Sequence, residues 1–528
     1  TNAQDDVKKL LFEHFYELVI DNQRDNLAKV RNSSLLNRLL MLLFEEPSVF
    51  VIRNDILFRL IGAIVQPPCD SHSLLRFGQT LSANLSAQTP QEIHENEYPF
   101  HIAELEKLLL AQCNGNPNPV INEELYSVYV RNRLLNMLGN MLAHSSGQIN
   151  SQLCESIVST LGFGWILAMC APGLHPGTVY LGLKILVNVT KHPSILSKFR
   201  DGACNGGWLT DADSVIRNRA AVLLGFSVSA HGGAVGSHVD FNPELSNCNG
   251  FAALEYLMYM HADQPFCYLA MLALLFGQHQ ANIQPLEEFN VDLIWSNVFS
   301  LNATSSVSDA IAKCTFCPEA LIPLFSMIRA GLHYPQSDNI SQDHWSQSYP
   351  IMVLQLTTFL YQNSETFFGI SHTSTFVVTL FTTLLPRPNI GLYGESGKET
   401  SPSALPTHRA IKLVMELLTN ILLNDLCLSH ELRTECIFDM LVEFLEGGGV
   451  MHPSQSTIYT ELVNSCLDHF MTSDMFFSNS ALIIPKSAEG LLNRSSESTA
   501  VNVVHFLSKV IDSVWDCLYR GNPVAILK

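Results

Sequence analysis

Apolar positions recur along this chain with the period of a helix. In "DDVKKLLFEHFYELV", Val7, Leu10, Leu11, Phe15 and Leu18 fall on one face, and Asp5 stands where an N-cap would. In "THRAIKLVMELLTNILL", Ile411, Val414, Met415, Leu418, Ile421 and Leu422 repeat at i, i+3, i+4, i+7. Thr407, after Pro406, is placed to cap that helix. Val503, Phe506, Leu507, Val510, Val514, Cys517 and Leu518 repeat the pattern near the end. Less regular stretches predict helices over 34–45, 48–65, 100–112, 121–144, 151–170, 176–190, 213–229, 250–261, 265–277, 319–331, 349–362, 430–446 and 456–470. The total is on the order of twenty helices, mostly of ordinary length. Alternation of β-branched and polar residues almost never lasts five positions. "STFVVTLFTT" (374–383) is the best strand candidate, and its flanks make it a helix or a buried turn.

So many modest helices must bury their apolar faces on one another. Stacked pairs or triplets achieve this, because each pair is covered by the next. The expected fold class is all-α, an irregular armadillo/HEAT-like helical solenoid with only a rough rhythm of about 40 residues. The stretch 177–189, "GTVYLGLKILVNV", is apolar nearly all round and is expected to be an inner helix with neighbours on both sides. Segments 113–121, 230–249, 333–348 and 386–406 lack the periodicity. The last, "PRPNIGLYGESGKETSPSALP", is rich in Pro, Gly and Ser and reads as a surface loop. The expected organisation is a helical array over 1–385, a loop or linker over 386–406, and a continuation of the array over 407–528.

Composition narrows the function. Charged residues are 15% of the 528, against about 25% in an average soluble protein. Lys and Arg number 30 and Asp and Glu 49, a formal charge of −19, which argues against a nucleic-acid partner. The acidity forms no long run and reads as solvated helix faces that favour partners with basic patches. The cysteines number 13, odd and irregularly spaced, most of them in apolar helical stretches such as those around Cys170 and Cys267. That fits a reducing, cytoplasmic setting better than a disulfide framework. Sequons at Asn84, Asn188 and Asn302 read as chance. The chain opens without Met and ends mid-pattern in "NPVAILK", as a piece of a longer protein would. "TFFGISHTSTFVVTLFTTLL" (366–385) has no formal charge and the length of a membrane span. Its threonines, His372 and lack of flanking basic residues favour a buried helix.

Candidate chemistry is sparse. "GLYGESGK" (391–398) is close to a phosphate loop, but five residues separate Gly391 from Gly397 and Glu399 follows Lys398. Cys314 and Cys317 form a lone Cys-x-x-Cys, with His333 and His344 irregularly spaced beyond it; two buried thiols at a helix start are expected. His231 and His238 sit in "AHGGAVGSH" with no carboxylate or cysteine arranged around them. In "FRDGACNGGWLTDADSVIRNRAAVLLGF" (199–226), Gly206 and Gly207 allow a sharp turn, Trp208 can pin it, and Asp211 or Asp213 can cap the following helix. Those caps would use the N–H groups a phosphate needs. Arg217 and Arg219 leave a binding role open, but a structural corner is the expectation. No residue is assigned a catalytic, cofactor-binding or metal-binding role, no cofactor is expected, and the chain is not expected to be an enzyme.

Three segments carry a resemblance. "TLGFGWILAMCAPGLHPGTVYLGLKILVNV" (160–189), the stretch 199–226, and "GFAALEYLMYMHADQPFCYLAMLALLFGQ" (250–278) resemble, in that order, the central armadillo-like region of the very large BEACH-domain proteins. The branch is that with WD repeats and a FYVE domain, the autophagy-linked FYVE proteins. The likeness is concentrated in 160–278. It implies a scaffold for membrane traffic and selective autophagy that binds other proteins, in the cytoplasm and peripheral to endosomal or autophagic membranes. It implies membrane association through other modules rather than by insertion. The paired cysteines and basic motif of a FYVE finger are not in this chain, nor are BEACH or WD40 signatures. The reading that follows is a passive platform whose grooves between helices receive partner segments. The rival readings are a HEAT-like regulator of small GTPases and a metal or thiol enzyme around Cys314 and Cys317. Ser401 and Ser403 are candidate phosphorylation sites in the loop.

Overall fold

The computed structural model describes residues 2–21, 23–68, 70–85, 99–113, 121–142, 149–201, 250–277, 307–312, 314–333, 343–385, 406–425 and 428. The described residues are all-α, helix stacked on helix as an irregular solenoid requires, and hold no strand. They fall into two compact units, one up to residue 277 and one from residue 307.

In the first unit the helices are α1 (Asn2–Asp21), α2 (Gln23–Arg31), α3 (Leu35–Phe44), α4 (Val49–Arg53), α5 (Ile56–Val65) and α6 (Ser71–Ala83). There follow α7 (Ile102–Cys113), α8 (Glu123–Leu142), α9 (Ser151–Thr160), α10 (Gly162–Ala168), α11 (Pro176–Thr190), α12 (Pro193–Asp201), α13 (Gly250–Tyr259) and α14 (Pro265–Leu275). α5, α8, α11 and α14 pack in succession as one row; α3, α6 and α9 form a second row beside it. The reason is in the side chains. α11 is buried at every position from Gly177 to Thr190 except Tyr180, so it needs a neighbour on each side and has α8 and α14. It is the inner helix that its composition predicts.

Two expected helices are each split. The stretch 48–65 breaks at Asn54, which is extended and whose Nδ2 donates to Phe50 O at 3.0 Å. The stretch 151–170 breaks at Gly162, whose φ of 77° is closed to most other residues. α1 corrects a further expectation. Its helix starts at Asn2, so Asp5 lies in the first turn, 3.8 Å from Lys8, and is not the N-cap. The stripe Val7, Leu10, Leu11, Phe15 and Leu18 is exposed, from 40% at Phe15 to 66% at Val7. α1 is apolar on two faces, and the core takes the other: Phe12 packs on Phe50, and Val19 is buried.

A chain with few charges spends several on helix ends. The last carbonyls of a helix lack intrahelical donors and carry partial negative charge, so a cation there is favoured. Arg31 donates from Nε to Ile64 O, from Nη2 to Gln66 O and from Nη1 to Pro68 O, at 2.7–2.9 Å, closing the end of α5. Arg131, fully buried, reaches Asn84 O at the end of α6 and donates twice to Thr178 Oγ1 on α11. Burial pulls its pKa down to about 10, which leaves it cationic at neutral pH. His261 Nε2 lies 2.9 Å from Cys170 O, just past α10; because a carbonyl only accepts, the proton is on Nε2.

The second unit holds α15 (Val307–Ala312), a 3₁₀ turn at Pro318–Ala320, α16 (Leu321–Leu332), α17 (Asp343–Asn363), α18 (Glu365–Ser371), α19 (Ser374–Thr382) and α20 (His408–Asn424). α16, α17 and α20 pack in succession, with α19 against α16 and α20. The core includes Phe325, Phe367, Phe376, Leu380, Val414 and Leu418. Thr407 caps α20 as expected, accepting from Ala410 N at 3.4 Å. α17 begins at Asp343, inside a segment expected to lack structure. The uncharged stretch 366–385 is two short helices, broken at His372, and no helix among the described residues is long and apolar enough to cross a membrane. Arg329 Nε donates to Leu385 O at 2.6 Å, the same device as in the first unit.

Candidate groove on the first unit

The seam between α5 and α8 opens into a groove. The helices approach closely where Gly62 faces Met137: a Cβ at position 62 would lie 3.0 Å from Met137 Sδ. The groove has a volume of about 760 Å³. Phe58, Gly62, Ala63, Ile102, Ala103, Met137 and Met141 give it apolar surface, from α5, α7 and α8. Tyr16 and Ile20 of α1 close one side.

The polar lining is balanced. Arg59 and Asp55 come from the start of α5, Glu106 from α7 and Arg133 from α8. The Arg59 guanidinium stacks 4.4 Å from the centre of the Tyr16 ring. That of Arg133 lies 4.6 Å from the centre of Phe58; its Nη1 is 3.7 Å from Glu106 and donates to Tyr129 Oη at 3.3 Å. Such stacking holds a long cation in place at little cost in hydration. Burial pushes the Tyr129 phenol up to about 12, so it stays neutral. Two cations face two carboxylates, and the acidity of the whole chain is not expressed here.

Three side-chain amides line the same groove: Gln66, Asn136 and Asn140. Asn140 Oδ1 accepts from Lys184 Nζ at 3.4 Å. Asn136 is half-buried. Among the described residues, the side chains of Gln66 and Asn136 have no hydrogen-bond partner. Asn136, Ile102 and Ala103 also line a second cavity of about 380 Å³ between α7, α8 and α11. The third asparagine of the row, Asn132, is buried and already spent: its Oδ1 accepts from Thr178 Oγ1 at 2.7 Å. The groove can therefore hold an apolar group and hydrogen-bond whatever carries it.

The candidates from the sequence lie elsewhere. Cys317 is buried and its Sγ donates to Glu319 Oε2 at 3.3 Å; Cys314 is only half-buried, which corrects the expectation of two buried thiols. Among the described residues no cluster of three metal-ligating side chains forms. His333 is buried at the end of α16. Asn188 is fully buried in α11, so its sequon is inaccessible to a glycan. The stretch around Gly206, Gly207, Trp208, Arg217 and Arg219, the His231 and His238 loop, "GLYGESGK" and Ser401 and Ser403 lie outside the described residues. The groove's signal in the sequence is the row Asn132, Asn136, Asn140 at i, i+4, i+8 in "RNRLLNMLGNML", the last two set among apolar residues.

No family model matches the chain. The chain is similar along its whole length to the WD repeat- and FYVE domain-containing protein 4 of Mus musculus, 22% identical over 557 residues that make up 16% of that protein. The Homo sapiens protein of the same name is 22% identical over 373 residues, 68% of this chain and 10% of that protein. At the level of the family, the likeness is to WD-repeat and FYVE-domain proteins. The chain spans about a sixth of the length of the mouse relative and a tenth of the human one.

Proposed function

We propose that this chain is a non-catalytic helical scaffold region that binds other proteins in membrane traffic and selective autophagy, with the α5–α8 groove as its docking surface. The observation that carries the reading is the pairing of an apolar floor with the half-buried amides of Gln66 and Asn136, whose side chains have no hydrogen-bond partner among the described residues. The groove supplies amides, guanidiniums held on aromatic rings, and apolar surface, groups that bind rather than turn over a substrate. The likeness to WD-repeat and FYVE-domain proteins supports a role in traffic. The test uses the exposed Ala103, which lines both cavities. A proximity-labelling enzyme fused to the chain is expected to mark a set of proteins in cells, among them membrane-traffic components. Ala103→Arg, which places a long charged side chain in the groove without touching the core, is expected to erase most of that set while the helical circular dichroism is unchanged. An identical set from both proteins would refute the groove as the docking surface.

A further inference from the structure

The two ends of the row α1, α5, α8, α11, α14 are unlike, and the difference points to self-association. We infer that the exposed stripe of α1 is covered by the same stripe of a second copy of this chain, the two helices lying antiparallel. Inside the row every helix has a neighbour on each side: α5 lies between α1 and α8, α8 between α5 and α11, α11 between α8 and α14. α1 has α5 on its inner side. The end helix of a stacked array ordinarily turns a polar face outward. α1 instead turns out Val7, Leu10, Leu11, Phe15 and Leu18, each 40–66% exposed, with His14 on the same stripe.

The far end of the row is closed. α14 is buried at every position from Phe266 to Leu275, so it offers no apolar face on which the α1 of another copy could stack. Among the described residues, the contact open to a second copy is therefore the isologous one, α1 on α1 about a twofold axis, which closes a dimer and does not propagate. The stripe is its own complement in that arrangement. With the axis passing between Phe12 and Glu13, Val7 lies opposite Leu18 of the second copy and Leu11 opposite its His14. At the flanks Phe15 meets the aliphatic stem of Lys8, and Leu10 that of Glu17. A parallel pairing would set His14 on His14 and align two helix dipoles that the antiparallel one opposes. Half-exposed side chains of this size present about 100 Å² each. With the flanks, the seam buries on the order of 600 Å² per copy, about 1,200 Å² in all, the lower edge of stable specific interfaces. Two bodies with a formal charge of −19 also repel each other. The expected dimer is weak, with a dissociation constant on the order of 10 μM.

Sedimentation equilibrium of the full chain from about 1 to 100 μM reads this directly. The mass is expected to rise from 58.7 kDa towards twice that value. Added salt is expected to tighten the dimer by screening the repulsion. Leu11→Lys and His14→Glu, both at exposed sites, are each expected to weaken it about 10-fold or more with unchanged circular dichroism. Mixed in equal amounts the two variants are expected to recover a dimer, because the antiparallel register sets the introduced cation opposite the introduced carboxylate. Ala103→Arg is expected to dimerise as the wild type does, so this inference and the reading of the groove fail separately. A wild-type chain that stays monomeric at 100 μM, or a Leu11→Lys protein that dimerises as tightly as the wild type, would overturn the inference. A mixture that stays monomeric would overturn the antiparallel pairing.

Discussion

Each unit has a cavity between its helices, and the two differ in what their polar groups are doing. The slot in the second unit, about 280 Å³, is lined by Pro318, Leu321, Ile322, Phe325, Ile370 and Phe376, with Glu319 and three threonines. Two of those threonines are satisfied within their own stretch of chain. Thr373 Oγ1 donates to Ile370 O at 3.1 Å and accepts from Phe376 N; Thr379 Oγ1 donates to Thr375 O at 2.6 Å. The groove in the first unit keeps Gln66 and Asn136 without a partner among the described residues. A gap between helices shows only that side chains did not fill it. Half-buried amides beside an apolar floor are open to water and can instead be met by the hydrogen-bonding groups of a ligand. That distinction, more than size or greasiness, separates a recognition surface from a packing gap.

The largest effect is expected where the slot meets the core. Phe325 is buried on Phe376, ring centres 5.5 Å apart. Phe325→Ala is expected to destabilise the second unit by about 3–5 kcal/mol, as chemical denaturation would show, without altering partner binding at the α5–α8 groove. Loss of groove binding in that variant would mean that the two cavities are not independent. Next come the arginines that close helix ends. Arg31→Met and Arg329→Met each remove charge-assisted bonds to terminal carbonyls, at an expected cost of about 1–2 kcal/mol. Similar values would show that the two units share their packing rules and differ only in their cavities. A cost confined to one unit would break that parity.

Acid is expected to act on the first unit through His261. Burial lowers the pKa of this histidine, outweighing the hydrogen bond to Cys170 O and the charge of Asp263, which raise it. Below the ordinary histidine range the unfolded chain binds a proton that the folded chain refuses. Stability contributed by the neutral ring is therefore present above about pH 6.5 and lost as pH falls towards the depressed folded value. His261→Gln, which keeps an N–H donor without a titration, is expected to flatten this slope between pH 7 and 5. A variant that unfolds along the wild-type profile would assign the acid sensitivity elsewhere.

Much of this architecture is legible in the residues, and the rest is not for identifiable reasons. α11 announces itself because a helix apolar all round has only one place to go. α20 is readable to the residue because Thr407 follows Pro406 and precedes an unbroken heptad-like stripe. The breaks at Asn54 and Gly162 are not, because apolar periodicity runs straight through both. α1 misleads because it has two apolar faces, and only tertiary packing decides that Phe12 and Val19 face the core. The groove is half-legible. The asparagine row is plain in the sequence, but that Asn132 is spent on Thr178 while Asn136 is not depends on where α11 lands.

The smallest effect is the one that tests the contrast most directly. Thr379→Val swaps a hydroxyl for a methyl at a half-buried site on the rim of the slot. Both residues are β-branched and of near-equal helix propensity, so the backbone is indifferent. The hydroxyl bond that is lost runs to a carbonyl of its own helix, a contact that adds little and slightly disfavours a regular helix. The methyl gained faces apolar surface. The expected change in stability is below about 0.5 kcal/mol in either direction. Asn136→Leu in the first unit is expected to be as quiet in stability, since its amide has no partner among the described residues to lose, yet to weaken Ala103-sensitive partner binding by about 3- to 10-fold. Two substitutions silent in denaturation should thus be told apart by one binding measurement. A Thr379→Val protein destabilised by more than about 1 kcal/mol would show that the slot's hydroxyls hold the fold, and the line between a packing gap and a recognition surface would have to be drawn elsewhere.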